Sequence, residues 1–452
     1  MCGIFGIAKH AEAVNMTYLG LHMLQHRGQE STGISSSDGA AVFTYKANGY
    51  VADVFTEEIL SRLRGSNAIG HTRYSTAGGG GECNAQPIVA VMAGIIVSLV
   101  HNGNLINADG LRSVLERDGA VFQSTSDSEV IVHLLARAQT HDIMERLIWA
   151  LGQVQGAFSL IILTRDSVIG VRDPNGFRPL NLGRIDGSYV FASETCAFDL
   201  IGAEYIREVE PGEIIMICGT EMKSVKLPPA RRLAKCIFEH VYFSRPDSIV
   251  FGRSVHERRN RMGSILARES PVDADLVVPV PDSGIAAAEG FSEESGIRLK
   301  HALTRNHYGK RSFIEPRSSI RDFGLKVKLN PVRALLVGKS VVLIDDSIVR
   351  GSTSRKLIRR IKAAGAIEVH MRISCPPTMW PCFMGVDTPT RKELIASSHT
   401  IEEICRSIEA DSLAYLSLRG LLEAMEADNE FCTACYTGEY PLDVSHLLAG
   451  QI

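Results

Sequence analysis

Cys2 stands directly behind the initiator methionine and ahead of Gly3. Removal of Met1 would leave this cysteine a free α-amine, whose reference pKa of about 7.7–8.0 keeps an appreciable fraction neutral at physiological pH. A thiol that carries its own base is suited to attack on an amide. A second concentration of chemistry lies far along the chain. There Val341-Val342-Leu343-Ile344-Asp345-Asp346-Ser347-Ile348-Val349-Arg350-Gly351-Ser352-Thr353-Ser354 passes from apolar residues to paired acids and then to hydroxyls. Two acids and a hydroxyl are enough protein ligands for Mg²⁺, which keeps several waters. A short hydroxyl-rich loop that contains a glycine and enters a helix N-terminus makes a cradle for phosphate. Four cysteines form a third set: Cys432 and Cys435 in a C-x₂-C, with Cys236 and Cys382 apart from them. Such thiolates could ligate a 4Fe–4S cluster or a structural zinc, and their spacing does not choose between the two.

These groups need elements to position them. Up to about Leu227 the chain is rich in short apolar or alternating runs, at 90–100, 158–164, 188–192 and 213–217, with helical periodicity at 17–25 and 128–138. Strands with few helices predict layered sheets. The longest apolar run, 88–100, reads as one buried strand; it is too short for a membrane span, which takes about 20 residues. After Pro271 the texture changes to continuous apolar strands at 276–280 and 340–344, each followed by a loop and a helix-like stretch, the second at 354–364. That pattern predicts a parallel sheet buried on both faces, with ligands at its C-terminal edge. The linker is placed at Lys226-Leu227-Pro228-Pro229-Ala230, and the tail after Leu421 reads as helical at first and then as turns.

Five motifs follow one another in the first half: Met1-Cys2-Gly3-Ile4-Phe5-Gly6, His26-Arg27-Gly28, His71-Thr72-Arg73-Tyr74-Ser75-Thr76, His101-Asn102-Gly103-Asn104 and Ser126-Asp127-Ser128-Glu129. In this order they resemble the class II glutamine amidotransferases, the N-terminal-nucleophile glutaminases. The resemblance implies an αββα fold for residues 2–227, with Cys2 as nucleophile and the Asn102 side chain and Gly103 N–H as oxyanion donors. It also gives Arg73 to the α-carboxylate of glutamine and Asp127 to its α-ammonium.

The 341–354 run resembles the phosphoribosyltransferase signature, which implies a type I phosphoribosyltransferase domain over residues 228–452, mainly parallel in its sheet, with phosphoribosyl pyrophosphate and Mg²⁺ as ligands. Asp345 and Asp346 would serve the ribose hydroxyls and the metal, and Ser347, Arg350, Gly351, Ser352, Thr353 and Ser354 the 5-phosphate. Asp282, Ser283 and Gly284 would form a pyrophosphate loop, Ser283 adding a metal ligand. The cation-rich stretch from Arg305 to Lys328 reads as a closing lid.

Together the halves resemble the amidophosphoribosyltransferase family, in its iron–sulfur branch. Further matching stretches are Arg172-Asp173-Pro174-Asn175-Gly176-Phe177-Arg178-Pro179-Leu180 and Tyr242-Phe243-Ser244-Arg245-Pro246-Asp247-Ser248. The resemblance implies transfer of glutamine's ammonia to C1 of phosphoribosyl pyrophosphate, opening purine synthesis, and makes Cys236, Cys382, Cys432 and Cys435 the ligands of a 4Fe–4S cluster. It further implies a homotetramer and inhibition by purine nucleotides, with Arg245, Arg259, Lys326 and Ser347 as contacts. Departures fall at Arg305-Asn306-His307-Tyr308 and at Phe251, near the regions that bind inhibitory nucleotides in the family. The rivals are a sugar-phosphate amidotransferase, against which the Asp345-Asp346 strand and loop argue, and a non-catalytic sensor of phosphoribosyl pyrophosphate, against which Cys2 and its motifs argue.

Composition narrows the rest. A chain of 452 residues exceeds what one core usually supports. A net charge of -3 gives no general attraction to nucleic acid or anionic membrane, so phosphate binding must be local. Ten cysteines are too few for a disulfide scaffold in a chain this long, and no basic, cleavable leader is apparent; a reducing, cytoplasmic home is expected.

Overall fold

The strand Gly3–Ala8, which begins one residue after Cys2, is buried along its whole length. It lies near the middle of a seven-stranded antiparallel sheet ordered Glu204–Glu208, Asn181–Ile185, Ser188–Ala192, Gly3–Ala8, Asn67–Arg73, Ser31–Ser37, Val42–Asn48. A second, six-stranded sheet is ordered Glu221–Lys226, Glu213–Cys218, Ser167–Arg172, Gly156–Leu163, Ile95–Leu105, Ile88–Met92. The computed structural model describes residues 1–74, 81–92, 94–305, 329–388, 390–427 and 429–448.

Strands buried on both faces need cover on both, and here it comes from the opposite sheet and from helices. Ile4, Ile69 and Phe191 of the first sheet meet Val100, Ile161 and Ile215 of the second. Helices Ala13–Met23 and Cys196–Ile201 cover the first sheet's outer face, and Ser128–Arg137 with Ile143–Leu151 cover the second's. The layers are therefore helix, sheet, sheet, helix, as expected for αββα.

One strand expectation needs correction. The apolar run at 88–100 is two antiparallel strands, not one: Ile88 pairs with Leu99 and Met92 with Ile95 across a turn at Gly94, whose φ is +81°. Glycine adopts that left-handed conformation without steric cost, so the hydrophobic signal continues through a reversal of direction. The first of these strands lies at the sheet edge, and Val91 is 71% exposed on it.

In the second half, Leu276–Pro279, Ser340–Asp345, Glu368–Ile373 and Ser412–Tyr415 form a four-stranded sheet in that order, every pairing parallel. Parallel strands require crossovers, and the helices Ile285–Ser295, Ser352–Ala363 and Ile401–Ile408 lie in them; the second begins two residues earlier than its sequence pattern suggests. The first half's last strand ends at Lys226, and Leu227 is buried in that half's core. The tail turns back on the molecule. Cys432 pairs with Cys236 in a short parallel bridge, Val444 packs with Ile106, Ala157 and Phe177, and the His446 ring lies 3.1 Å from the Ile106 carbonyl.

Candidate active sites

The surroundings of Cys2 are assembled from pieces far apart in the chain. The backbone nitrogen of Cys2 donates to Asn102 Oδ1 at 3.3 Å across a separation of 100 residues. Asn102 is wholly buried, and its Nδ2 has no hydrogen-bond partner. A buried amide donor left without an acceptor is costly unless something else supplies one, and an oxyanion would do so. Gly103 follows on the same strand. A Cβ there would lie 1.9 Å from the Ala157 carbonyl oxygen, so only glycine permits this approach of two strands. Arg73 ends the Asn67–Arg73 strand, nearly buried, with Glu30 at 4.0 Å. Asp127 precedes the helix Ser128–Arg137, and its carboxylate accepts from the Leu105 N–H at 2.9 Å. Ser75 and Thr76 lie outside the described residues.

The ground beneath Cys2 is a buried charge network that the sequence reading did not assign. Arg27 Nε donates to the Cys2 carbonyl at 2.9 Å, while the same guanidinium meets Glu239 at 2.9 and 3.0 Å and also Glu194. Arg178 reaches Glu239 at 3.4 Å, and all four side chains are fully enclosed. Glu194 further accepts from Ser248 Oγ at 2.8 Å and the Arg245 N–H at 2.9 Å; Glu239 accepts from Ser244 Oγ at 2.9 Å. These cations hold the Glu239 carboxyl below the ordinary range against its burial, and His26 and Arg27 do the same for Glu194. Arg27 and Arg178 lie inside motifs singled out above, but Glu239 comes from the second half and follows Cys236 by only three residues. Met1 fills the space beside this network, packed with Cys236 and Val386, and burial pushes its amine down to about 6.

The second site is local. The strand Ser340–Asp345 delivers its acids to the sheet's C-terminal edge, and Ser283, from the loop after the neighbouring strand, donates to Asp346 Oδ1 at 2.6 Å. Ser347 Oγ donates to the other oxygen of Asp346 at 2.6 Å, and the Asp346 N–H to Asp345 Oδ1 at 3.0 Å. Burial, with the charge of Asp346 beside it, pushes the Asp345 carboxyl well above the usual range. Ser283, Asp345 and Asp346 thus converge from two strands. Gly351 caps the helix Ser352–Ala363 at φ +74°; Ser352 and Thr353 are exposed on its first turn, whereas Ser354 is buried. The Arg350 guanidinium pairs with Glu393 at 2.7 Å, and Asp282 pairs with Arg305. The Gly284 N–H is committed to the Val280 carbonyl at 2.9 Å.

Of the expected nucleotide contacts, Arg259 is buried and donates to the His240 and Ser244 carbonyls, at 2.6 and 2.8 Å, while Arg245 pairs with Asp247. Lys326 and the lid residues after Arg305 lie outside the described residues.

The four cysteines of the third set are neighbours. Cys236 and Cys432 face each other in the parallel bridge, and the Met379 and Trp380 N–H groups donate to the Cys435 carbonyl at 2.9 and 3.0 Å, bringing the chain before Cys382 alongside. Burial raises the thiol of Cys435, and the nearby sulfurs of Cys432, Cys236 and Cys382 raise it further. Among the described residues, no group of three or more His, Cys, Asp or Glu is arranged to hold a metal ion. No helix among them is long and apolar enough to cross a membrane.

Two structural classes meet in this chain: a thiol-headed antiparallel sandwich and a parallel sheet with an acid pair at its edge. Residues 71–199 match the glutamine amidotransferase domain family. Over 98% of its length the chain is 46% identical to amidophosphoribosyltransferase of Bacillus subtilis (strain 168), covering 94% of that protein. It is 48% identical to the Methanocaldococcus jannaschii amidophosphoribosyltransferase, covering 98% of each chain. Against chloroplastic amidophosphoribosyltransferase 1 of Arabidopsis thaliana it is 50% identical, with 98% and 78% covered. Among solved structures, the glutamine phosphoribosylpyrophosphate amidotransferase of B. subtilis, complexed with ADP and GMP, superposes with a TM-score of 0.93 over 98% of both chains at 46% identity. The chain belongs to the amidophosphoribosyltransferase family, and it is an enzyme of the glutamine amidotransferase and pentosyltransferase type.

Proposed function

We propose that residues 2–227 cleave the side-chain amide of glutamine and that residues 228–452 pass the ammonia to C1 of phosphoribosyl pyrophosphate. The products are glutamate, 5-phosphoribosylamine and pyrophosphate, the entry to purine synthesis. The observation that carries the reading is the double use of Asn102. Its Oδ1 holds the Cys2 nitrogen, which becomes the free amine once Met1 is removed, and its Nδ2 is an enclosed donor with no acceptor of its own.

The amine takes the thiol proton while sulfur attacks the amide carbon. The tetrahedral oxyanion then meets Asn102 Nδ2 and the Gly103 N–H. Collapse expels ammonia, which takes back the proton, and water cleaves the thioester to glutamate. Arg73 and Asp127 hold the amino-acid end of glutamine.

At the second site Ser283, Asp345 and Asp346 would hold Mg²⁺, which would supply neutralisation of the pyrophosphate's charge. Ser347, Arg350, Gly351, Ser352, Thr353 and Ser354 surround the 5-phosphate, and Asp282, Ser283 and Gly284 the pyrophosphate. Ammonia attacks C1 as the C1–O bond to pyrophosphate breaks, a reaction that needs positioning more than a further nucleophile.

Cys236, Cys382, Cys432 and Cys435 hold a 4Fe–4S cluster with a structural role. The parallel pairing of Cys236 with Cys432 and the hydrogen bonds of the Met379 and Trp380 N–H groups to Cys435 bring these segments close, which supports the reading although the four are not arranged as a metal site in this structure. The free state of all ten cysteines suits a reducing compartment such as the cytoplasm. Purine nucleotides inhibit, and the enzyme assembles as a homotetramer.

The test follows pyrophosphate release by wild type and Cys2→Ala, purified without oxygen. The variant is expected to lose the glutamine-driven reaction by at least about 10³-fold and to keep the ammonia-driven one. If wild type binds phosphoribosyl pyrophosphate but releases no pyrophosphate with either nitrogen source, the chain is a sensor instead.

A further inference from the structure

Gly385 belongs to the second half, yet it lies against the peptide of Gly103 in the first. A Cβ built on Gly385 would stand 2.9 Å from the Gly103 carbonyl carbon and 3.0 Å from both its Cα and its oxygen. Distances that short are closed to any side chain, so backbone packs on backbone here. A Cβ on Gly103 itself would stand 1.9 Å from the Ala157 carbonyl oxygen, so a second main chain also packs closely on this residue. Gly103 is therefore packed by two main chains, one from each half of the molecule, with its Cα and carbonyl group against Gly385.

The loop that carries Gly385 is itself tied down. Asn104 Nδ2, one residue beyond Gly103, donates to the Phe383 carbonyl at 2.9 Å. The fully buried Arg178 donates to the Met384 carbonyl through Nε at 2.9 Å and through its second terminal nitrogen as well. Gly385 has φ +96°, a conformation glycine adopts freely, so the loop can present bare backbone to the strand without strain.

We propose that Gly385 is a positioning residue for amide cleavage: by packing on the Gly103 Cα and carbonyl, the second half holds in place the residue whose N–H would face the developing oxyanion. Donors of this kind accelerate a reaction only to the degree that they are held in place before charge appears. An oxyanion donor acts in the transition state and barely in the bound substrate, so its displacement lowers kcat and leaves KM nearly unchanged. The inference rests on the assignment of Asn102 and Gly103 as the oxyanion donors.

Gly385→Ala drives a methyl group into the Gly103 peptide, Asn104→Ala releases the loop more gently, and Asn102→Ala tests the underlying assignment. Each variant is assayed with glutamine and with ammonia. Each is also titrated with the aldehyde analogue of glutamine, whose carbonyl forms a tetrahedral adduct with a thiol, and with glutamate. For Gly385→Ala we expect kcat with glutamine to fall at least tenfold and aldehyde binding to weaken as much. KM for glutamine, glutamate binding and the ammonia-driven rate should stay within twofold, and Asn104→Ala should show the same signature at smaller amplitude. Unchanged kcat and aldehyde binding in Gly385→Ala, beside losses in Asn102→Ala, overturn the inference alone. A parallel fall of the ammonia and glutamine rates in both loop variants also overturns it, since that marks general damage. Should Asn102→Ala leave glutamine turnover and aldehyde binding intact, the oxyanion assignment falls and takes this inference with it.

Discussion

Around Cys2 the buried charges alternate in sign: Arg27 lies between Glu194 and Glu239, and Arg178 adds a second cation against Glu239. At the end of the Ser340–Asp345 strand, two like charges stand side by side, and burial with its neighbour's charge lifts the Asp345 carboxyl. A network whose charges cancel is complete without a ligand, and removing one member strands the others in a medium of low dielectric. A pair whose charges repel is completed by a cation. The surroundings of Cys2 are thus balanced in charge within the fold, whereas the acid pair leaves a charge that a bound cation would balance.

Variants at each site should separate the two by what they do to the glutamine- and ammonia-driven reactions. The largest effect is expected from Asp345→Asn combined with Asp346→Asn, which should cut pyrophosphate release on the order of 10³-fold with glutamine and ammonia alike; a loss confined to glutamine would erase the division of labour. Asn102→Ala should lower the glutamine-driven kcat by roughly 10²–10³-fold and spare the ammonia-driven rate, read by the same assay. Glu239→Ala leaves Arg27 and Arg178 underpaired in the interior and should cost about 3–5 kcal/mol, seen as a lower denaturation midpoint. Asp345→Asn alone, without Mg²⁺, should leave that midpoint unchanged or raise it.

The smallest predicted effect is in pH. Asp345 is raised in the folded chain, so its proton favours the folded state below the folded pKa, and that contribution is lost as pH rises through it. Glu239 is depressed, so its contribution is present at neutral pH and lost on acidification. If Asp345 holds Mg²⁺ as proposed, the ion would displace the Asp345 proton, so Mg²⁺ affinity in the ammonia-driven assay should rise with pH by up to about tenfold per unit, levelling above that pKa. A pH-independent affinity would place the metal elsewhere.

Legibility in the sequence followed locality. Residues 341–354 display strand, acids, turn and helix in one run, because a parallel strand and the loop and helix after it are contiguous. Cys2, Arg73, Asn102 and Asp127 could be singled out only through matched motifs, since they come from four separate segments of the chain. Nothing local marks Glu239, which meets Arg27 across 212 residues. Gly385 was equally hidden, because the need for glycine arises from another strand's backbone. The run at 88–100 misled for a related reason: hydrophobicity reports burial, and a hairpin buried on one face keeps it through the turn.

The tail's return to the first half also bears on synthesis. The His446 ring that closes on the Ile106 carbonyl lies 340 residues further along the chain, and it does so beside the strand that carries Asn102 and Gly103. A ribosome delivers the thiol early and these covering residues late. Gly385, which packs on Gly103, likewise emerges only after Asp345 and Asp346. The strand of Asn102 and Gly103 is therefore left without this cover until translation is nearly finished.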